Sequence, residues 1–155
     1  MDKIIKIVAR NRKARHDYQI EDTYEAGIVL QGTEIKSVRA GRVNLKGGFV
    51  MRRGNDLWLM DVHIAPYDQA GIWTHDPTRP RKLLLHRRQI DHLIEEVQRK
   101  GYTLVPLRMY LRGDYAKVEI GVAKGKRQYD KRQDIIERDH KRRMQREWKK
   151  FRHER

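Results

Sequence analysis

The sequence predicts a mainly β protein with flanking helices and a basic C-terminal tail. Short segments that are rich in β-branched residues, or that alternate apolar and polar residues, recur up to residue 123. Turn-forming residues join two pairs of these segments as β-hairpins. After residue 123 most residues are charged or polar. These observations favour a small closed six-stranded β-barrel over residues 1–123, with residues 124–155 as the tail. An OB-like barrel is one such architecture. Periodicity alone also permits another small α+β sheet.

The N-terminal segment is predicted to be a basic arm followed by extended chain. A mixed segment at the start leads into Asn11–Arg15, which carries three cations. His16–Ile20 and Tyr24–Leu30 are extended in character, and Ile28 and Val29 favour a strand in the second of them.

Two helices are predicted, one short and one long. Thr33 can cap a short helix that runs through Ser37 or Val38. The long helix spans Arg87–Lys100 and ends at Gly101, a typical C-terminal stop. Its apolar residues recur at the spacing of one helical face: Ile90, Leu93, Ile94 and Val97.

Two hairpins and one long loop complete the predicted body. Phe49–Met51 and Leu57–Ile64 flank the first turn, and Thr103–Leu111 and Tyr115–Ala123 flank the second. Pro106 predicts an edge or a bulge in its strand, because proline has no amide hydrogen to donate. Residues 66–80 are rich in Gly, Pro and Asp, which predicts a loop.

Composition bounds the function. The chain has 155 residues, which suits one domain with an appendage, and it has no cysteine. The absence of cysteine excludes disulfides and thiolate metal sites and fits a reducing cytoplasm. No run of about 18 apolar residues is present, so no membrane span is expected.

Charge points to a polyanion as the partner. The formal net charge is +15, and residues 123–155 hold 14 Lys and Arg against 6 Asp and Glu. Nucleic acid is favoured over an anionic membrane, because no segment joins a wide apolar face to its basic one. A generally basic protein without such a partner is the alternative.

The tail is predicted to be disordered when free and helical when a polyanion neutralises its cations. At helical spacing, four of its few apolar residues form a stripe too thin to hold an isolated helix in water. These residues are Ile136, Met144, Trp148 and Phe151.

No motif in the sequence predicts catalysis, a metal or a cofactor. His16-Asp17 lacks the further ligands that a metal site needs. Lys124-Gly125-Lys126 lacks the spacing and the Ser or Thr of a phosphate loop. Both are better interpreted as ordinary polar residues.

RNA contact is the better hypothesis for the basic segment near the N-terminus. Arg12, Lys13 and Arg15 can neutralise phosphates, while the rings of His16 and Tyr18 can stack on unpaired bases. A solvated basic arm is the alternative.

Two acidic residues and a later basic cluster are further candidates. Glu25 and Glu34 are either surface ion-pair partners or acceptors for a guanine edge or a ribose hydroxyl. Arg79, Arg81 and Lys82 can place cations on a groove beside the apolar Leu83–Leu85.

Five blocks of sequence, in order, resemble one protein family. They are Asn11–Tyr18, Glu25–Arg39, Asp76–Leu85, Lys100–Pro106 and Val122–Arg132. The chain resembles the SmpB family, the SsrA-binding proteins that partner transfer-messenger RNA. Any single block is weak, but five blocks spread over nearly the whole chain make a chance match very rare.

The resemblance implies a non-enzymatic factor of ribosome rescue with an OB-like barrel. The body is expected to bind the tRNA-like domain of transfer-messenger RNA at its elbow, as a monomer, one protein per RNA. The tail is expected to enter the empty mRNA channel of a stalled ribosome near the decoding centre, in the cytoplasm.

The resemblance also carries over residues. Asn11, His16, Tyr18, Glu25 and the region of Leu83 fall on the family's RNA-binding face, and charge adds Arg12, Lys13 and Lys82. For Leu83–Leu85, core packing and RNA contact remain alternatives. The tail residues expected at the ribosome are Lys124, Lys126, Arg127, Tyr129, Asp130, Lys131, Arg132 and Trp148, of which Arg127 and Trp148 are chosen for their chemistry.

Two functions from other classes stay open. One is a general OB-type ribosome or tRNA chaperone with no dedicated RNA. The other is an RNA-processing enzyme, which the lack of a metal-binding or nucleophile motif disfavours.

Overall fold

A computed structural model describes residues 4–124 of the chain. Nine strands and three α-helices follow one another in this range. The strands are β1 (Ile4–Arg10), β2 (Gln19–Ile28), β3 (Val43–Asn44), β4 (Phe49–Arg53), β5 (Asp56–Met60), β6 (His63–Ile64), β7 (Arg81–Leu84), β8 (Thr103–Arg112) and β9 (Tyr115–Lys124). The helices are α1 (Arg12–Asp17), α2 (Gly32–Arg39) and α3 (Arg87–Lys100).

Six antiparallel strands close into a barrel. The order around it is β2, β9, β8, β4, β5, β7 and back to β2. Strand β1 pairs with β8 as an additional strand, and β3 and β6 form a separate two-stranded sheet. The predicted closed six-stranded barrel is therefore confirmed, and the alternative of another small α+β sheet is not.

Alternation along the strands explains which side chains fill the barrel. In β5, Leu57 and Leu59 are buried while Trp58 and Met60 lie on the other face, half-buried. In β9, Val118, Ile120 and Val122 are buried. The register between β8 and β9 shifts between Pro106 and Arg108, which confirms the predicted irregularity at the proline.

Helix α3 has the predicted bounds. Its Ile90 and Leu93 are buried in the main core, and Gly101 ends it in the left-handed conformation with φ 69°. Helix α2 also exists, but it begins at Gly32 rather than after a Thr33 cap. Gln31 is the N-cap, and its backbone N–H donates to Glu34 Oε1 at 2.7 Å.

The prediction of a basic arm at Asn11–Arg15 is wrong. Residues Arg12–Asp17 form helix α1, and the strand predicted from His16 begins only at Gln19. The loop predicted at 66–80 contains a short 3₁₀-helix at Asp68–Trp73.

Strand β9 continues to Lys124, which pairs with Gln19 of β2. The division between a body at residues 1–123 and a tail at 124–155 remains a prediction.

Candidate nucleic-acid interface

Helix α1 is fixed to the barrel by the residue that precedes it. Asn11 caps the helix, because its Oδ1 accepts from the backbone N–H of Ala14 at 3.1 Å. Its Nδ2 donates to the carbonyls of Leu45 (3.2 Å) and Pro106 (2.9 Å). Asn11 is only 3% exposed. The prediction that Asn11 contacts RNA is therefore corrected: its amide is occupied inside the protein and positions the helix.

One side of α1 is buried and the other presents charge. Ala14 is buried against Leu107 and Ala123 in a small apolar cluster, with Tyr18 packed at its edge. The exposed residues of the helix are Arg12, Lys13, Arg15 and His16. The fold thus turns a run of polar residues into a cationic surface with a fixed orientation.

Two of the exposed side chains contact Asp17. Lys13 Nζ lies 2.8 Å from Asp17 Oδ2, and the ring nitrogen His16 Nδ1 lies 3.1 Å from Asp17 Oδ1. The His16 side chain is still 81% exposed. An imidazole held this way keeps its face open for stacking on a base.

Four arginine residues on and near α1 line one cavity of about 380 Å³. Glu119 is the acidic residue of this cavity, and it accepts from Arg15 Nη2 at 3.3 Å and from Arg108 Nε at 3.1 Å. Four arginines against one carboxylate leave an excess of positive charge, which suits a phosphate. We call this the arginine cavity; its charged residues are Arg10, Arg12, Arg15, Arg108 and Glu119.

Glu25 lies on β2 and is held by two residues of β8. It accepts hydrogen bonds from the Tyr110 hydroxyl and from Arg112 Nε at 3.0 Å. Burial acts to raise the pKa of Glu25, but the bonds from Tyr110 and the charge of Arg112 outweigh it and lower the pKa below its ordinary value. Burial and the contact with Glu25 raise the pKa of Tyr110 to about 12. Glu25 is therefore an anion that remains partly exposed.

Glu34 is neither a surface ion-pair partner nor an RNA acceptor, so both interpretations are corrected. It is fully buried and accepts from Arg79 Nη2 at 2.6 Å and from Arg81 Nε at 2.7 Å. Burial acts to raise the pKa of Glu34, but hydrogen bonds from Arg79, the Gln31 amide and Arg81 lower it overall.

Arg81 does not face a groove either. Its side chain is 0% exposed, and its guanidinium also donates to the carbonyls of Val62 (2.6 Å) and Pro77 (2.9 Å). The cluster of the buried Glu34 and Arg81 with the partly exposed Arg79 ties helix α2 to the segment that leads into β7.

The alternation of side chains along β7 distinguishes core packing from RNA contact for its leucines. Leu83 is 1% exposed and belongs to the main core, so the prediction that it contacts RNA is wrong. Leu84 is 52% exposed, because neighbouring strand residues face opposite sides. Lys82 is half-buried, with its Nζ 3.7 Å from Asp56 Oδ2.

Sequence reasoning missed residues that the barrel brings next to these candidates. Trp58 is opposite Lys82 in the sheet, and the Arg53 guanidinium lies 5.3 Å from its ring centroid. Arg108 joins the arginine cavity from β8. Only the strand pairing could have revealed either neighbour.

The ribosome-binding residues predicted in the tail lie mostly outside the described residues. Lys124 is the exception; it is exposed and ends β9. The others are Lys126, Arg127, Tyr129, Asp130, Lys131, Arg132 and Trp148.

Residues 4–124 lack two features that are typical of other classes of protein. They contain no group of three or more His, Cys, Asp or Glu side chains placed to hold a metal ion. Within the same range, no helix is long and apolar enough to cross a membrane.

A closed antiparallel barrel that carries a fixed, strongly cationic helix defines a small basic protein suited to binding a polyanion. The SmpB protein family model matches residues 8–150. The chain therefore belongs to the SmpB family.

Individual relatives agree with this assignment. The SsrA-binding protein of Roseiflexus castenholzii is 63% identical over 144 residues, which cover 92% of this chain and 91% of that protein. The SsrA-binding protein of Ligilactobacillus salivarius is 58% identical over 144 residues, 93% of each chain. A chain of the solved structure "tmRNA-SmpB: a journey to the center of the bacterial ribosome" is 47% identical, with a TM-score of 0.64 over 79% of this chain and 83% of that one.

Proposed function

We propose that this protein is a non-enzymatic RNA-binding factor of ribosome rescue by trans-translation. Its barrel binds the tRNA-like domain of transfer-messenger RNA at the elbow and delivers that RNA to stalled ribosomes. The observation that carries the proposal is the arginine cavity beside α1, which sets four arginines against one carboxylate on a fixed surface. Relatives named SsrA-binding protein and a solved structure of tmRNA-SmpB support the choice of RNA.

Six residues of the body are proposed to contact the RNA. Arg12 and Lys13 neutralise phosphates, and the exposed ring of His16 stacks on an unpaired base. Tyr18 contributes the part of its side chain that stays exposed, since the rest packs on the small apolar cluster. Glu25 accepts from a ribose or base through the oxygen surface that Tyr110 and Arg112 leave open. Lys82 adds a cation on the β7 side.

The tail has a separate role in the proposal. Lys124, Lys126, Arg127, Tyr129, Asp130, Lys131, Arg132 and Trp148 lie in the empty mRNA channel near the decoding centre. Their cations neutralise ribosomal phosphates, and the rings of Tyr129 and Trp148 stack on bases. The protein acts as a cytoplasmic monomer, with one copy for each transfer-messenger RNA.

The identity of the RNA is tested by sequencing the RNA that co-purifies with the tagged protein. We expect transfer-messenger RNA to be enriched far above bulk tRNA and ribosomal RNA. Equal recovery of bulk tRNA would instead indicate a general chaperone. Metal-dependent shortening of the bound RNA would indicate a processing enzyme.

The division between body and tail is tested by ending the chain after Lys124. This position keeps β9 whole, which matters because Ala123 is 0% exposed. We expect binding of transfer-messenger RNA to stay close to that of the full chain, while tagging of stalled nascent chains is lost. Loss of RNA binding together with the tail would contradict the division.

A further inference from the structure

One loop presents a large apolar surface that the arginine cavity does not use. The loop at residues 67–74, which we call the tryptophan loop, contains the 3₁₀-helix Asp68–Trp73. Ile72 is 88% exposed and Trp73 is 83% exposed. Among the described residues these are the two most exposed large apolar side chains. An exposed Trp beside an exposed Ile is costly in water, which points to a binding role.

The tryptophan loop is a built structure. The Tyr67 backbone N–H donates to Thr74 Oγ1 at 2.8 Å and closes the base of the loop. The Ala70 N–H donates to the Tyr67 carbonyl at 2.9 Å. Gly71 has φ 58° and ψ −128°, a combination open essentially to glycine alone, and it turns the chain just before the two exposed side chains.

The residues that follow the loop also anchor it to the body of the protein. His75 is 5% exposed and lies between two partners, with Nδ1 2.9 Å from Thr33 Oγ1 and Nε2 2.9 Å from the Ile64 carbonyl. Pro77, two residues further on, is held through its carbonyl by the buried Arg81. The exposed pair is thus held at a fixed place on helix α2 and strand β6.

Two cations contact the start of the tryptophan loop, and a third is exposed on α2. Lys36 Nζ lies 5.7 Å from the centroid of the Tyr67 ring. Arg42 Nη1 lies 3.9 Å from Asp68 Oδ2 at the start of the 3₁₀-helix. Arg39 is exposed at the end of α2. Three cations against one carboxylate favour a ligand that combines an aromatic face with negative charge.

We propose that Trp73 stacks on an unpaired RNA base, with Ile72 against its edge and with Lys36, Arg39 and Arg42 neutralising the adjoining phosphates. A nucleotide offers both the ring and the charge that this surface matches. A purely apolar protein partner would leave the three cations unused. The inference rests on the proposed function, to which it adds a second RNA contact. Helix α2 and strand β6 anchor this surface, whereas β1, α1, β8 and β9 carry the arginine cavity.

The test uses the full chain with two probes: a transcript of the tRNA-like domain of transfer-messenger RNA, and purified 70S ribosomes. Loss of one stacked base in W73A is expected to weaken binding to at least one probe about 5- to 100-fold. W73F should stay within about threefold of the wild type, because it keeps a π-face. W73L should lose as much affinity as W73A. If the transcript is the probe affected, tryptophan fluorescence reports stacking directly. At saturating transcript, the emission of the wild type should then be quenched more than that of W73F.

Y115A is the matched control, since Tyr115 is also an exposed aromatic, at 71%. We expect its affinity for both probes to equal that of the wild type. The proposal is overturned if W73A binds both probes as the wild type does, if Y115A loses as much as W73A, or if W73L binds normally, which would indicate an apolar protein contact. If the wild type itself binds neither probe, the proposed function has failed as well.

Discussion

The arginine cavity and the buried Glu34 cluster use the same side chains for opposite purposes. In the cluster, Arg79 and Arg81 converge on one buried carboxylate, and backbone carbonyls take the remaining donors of Arg81. In the cavity, Arg10 and Arg12 have no ion-pair partner among residues 4–124, and Glu119 is shared by two other arginines. Burial and pairing therefore decide which cations stabilise the fold and which are available to a phosphate.

The largest expected effect is a loss of stability when the buried Glu34 cluster is disrupted. E34A leaves the guanidinium of Arg81 buried without its counter-ion, which should lower the free energy of unfolding by about 3–5 kcal/mol. Urea denaturation measures the loss. E95A is the matched control, because Glu95 pairs with Arg99 on the exposed face of α3, and it should cost about 0.5 kcal/mol or less. Equal losses in both variants would show that burial does not separate the two kinds of pair.

Asn11, a buried residue that lines the arginine cavity, should show the next largest effect. N11A removes the cap of α1 and leaves the carbonyls of Leu45 and Pro106 without their donor, so the free energy of unfolding should fall by about 1–3 kcal/mol. N11S keeps an acceptor for the cap but lacks the amide donor, and it should fall between N11A and the wild type. A fully stable N11A with weakened RNA binding would restore Asn11 as a direct contact.

The role of the arginine cavity is tested by making its net charge more positive. Glu119 neutralises Arg15 and Arg108, so E119Q should release both for phosphates. At a gain of about 1 kcal/mol, binding of the tRNA-like transcript should tighten about fivefold at low salt. Titration at two salt concentrations checks this, since the gain should shrink as salt rises. Weaker binding in E119Q would mean that Glu119 positions the arginines.

The smallest effect concerns pH. The folded-state pKa of Glu25 is lowered, so Glu25 contributes stability above its unfolded pKa of about 4.3, and this contribution is lost as the pH falls through the folded value. The stability advantage of the wild type over E25Q should therefore narrow from pH 6 towards about pH 3. Chemical denaturation across this range measures it. An advantage that is constant with pH would contradict the shift.

The barrel was predictable because its signals are local. The long helix follows from the spacing of its apolar residues, and the hairpins follow from alternation around turns, as at Arg112-Gly113-Asp114. About six such strands were enough to favour a closed barrel.

The candidate site was less predictable, because its decisive contacts join distant parts of the chain. Asn11 meets Pro106, and Glu34 meets Arg81; the residues of these pairs are 95 and 47 positions apart. No local pattern distinguishes Arg81, which is buried, from Arg12, which is exposed. Family resemblance supplied the nature of the RNA, but it placed Asn11 and Leu83 on the surface, where the fold does not put them.

The central claim is that the exposed arginines of the cavity hold phosphates of the RNA. The direct test is the salt dependence of binding to the tRNA-like transcript, for the wild type and for the triple variant R10A/R12A/R15A. If the body contacts roughly six phosphates, log K should fall with log salt at a slope near −5. The triple variant should reduce the steepness of that slope by about 3, with the free energy of unfolding unchanged within about 1 kcal/mol. A slope near −1 in the wild type, or the same slope in both proteins, would contradict the account.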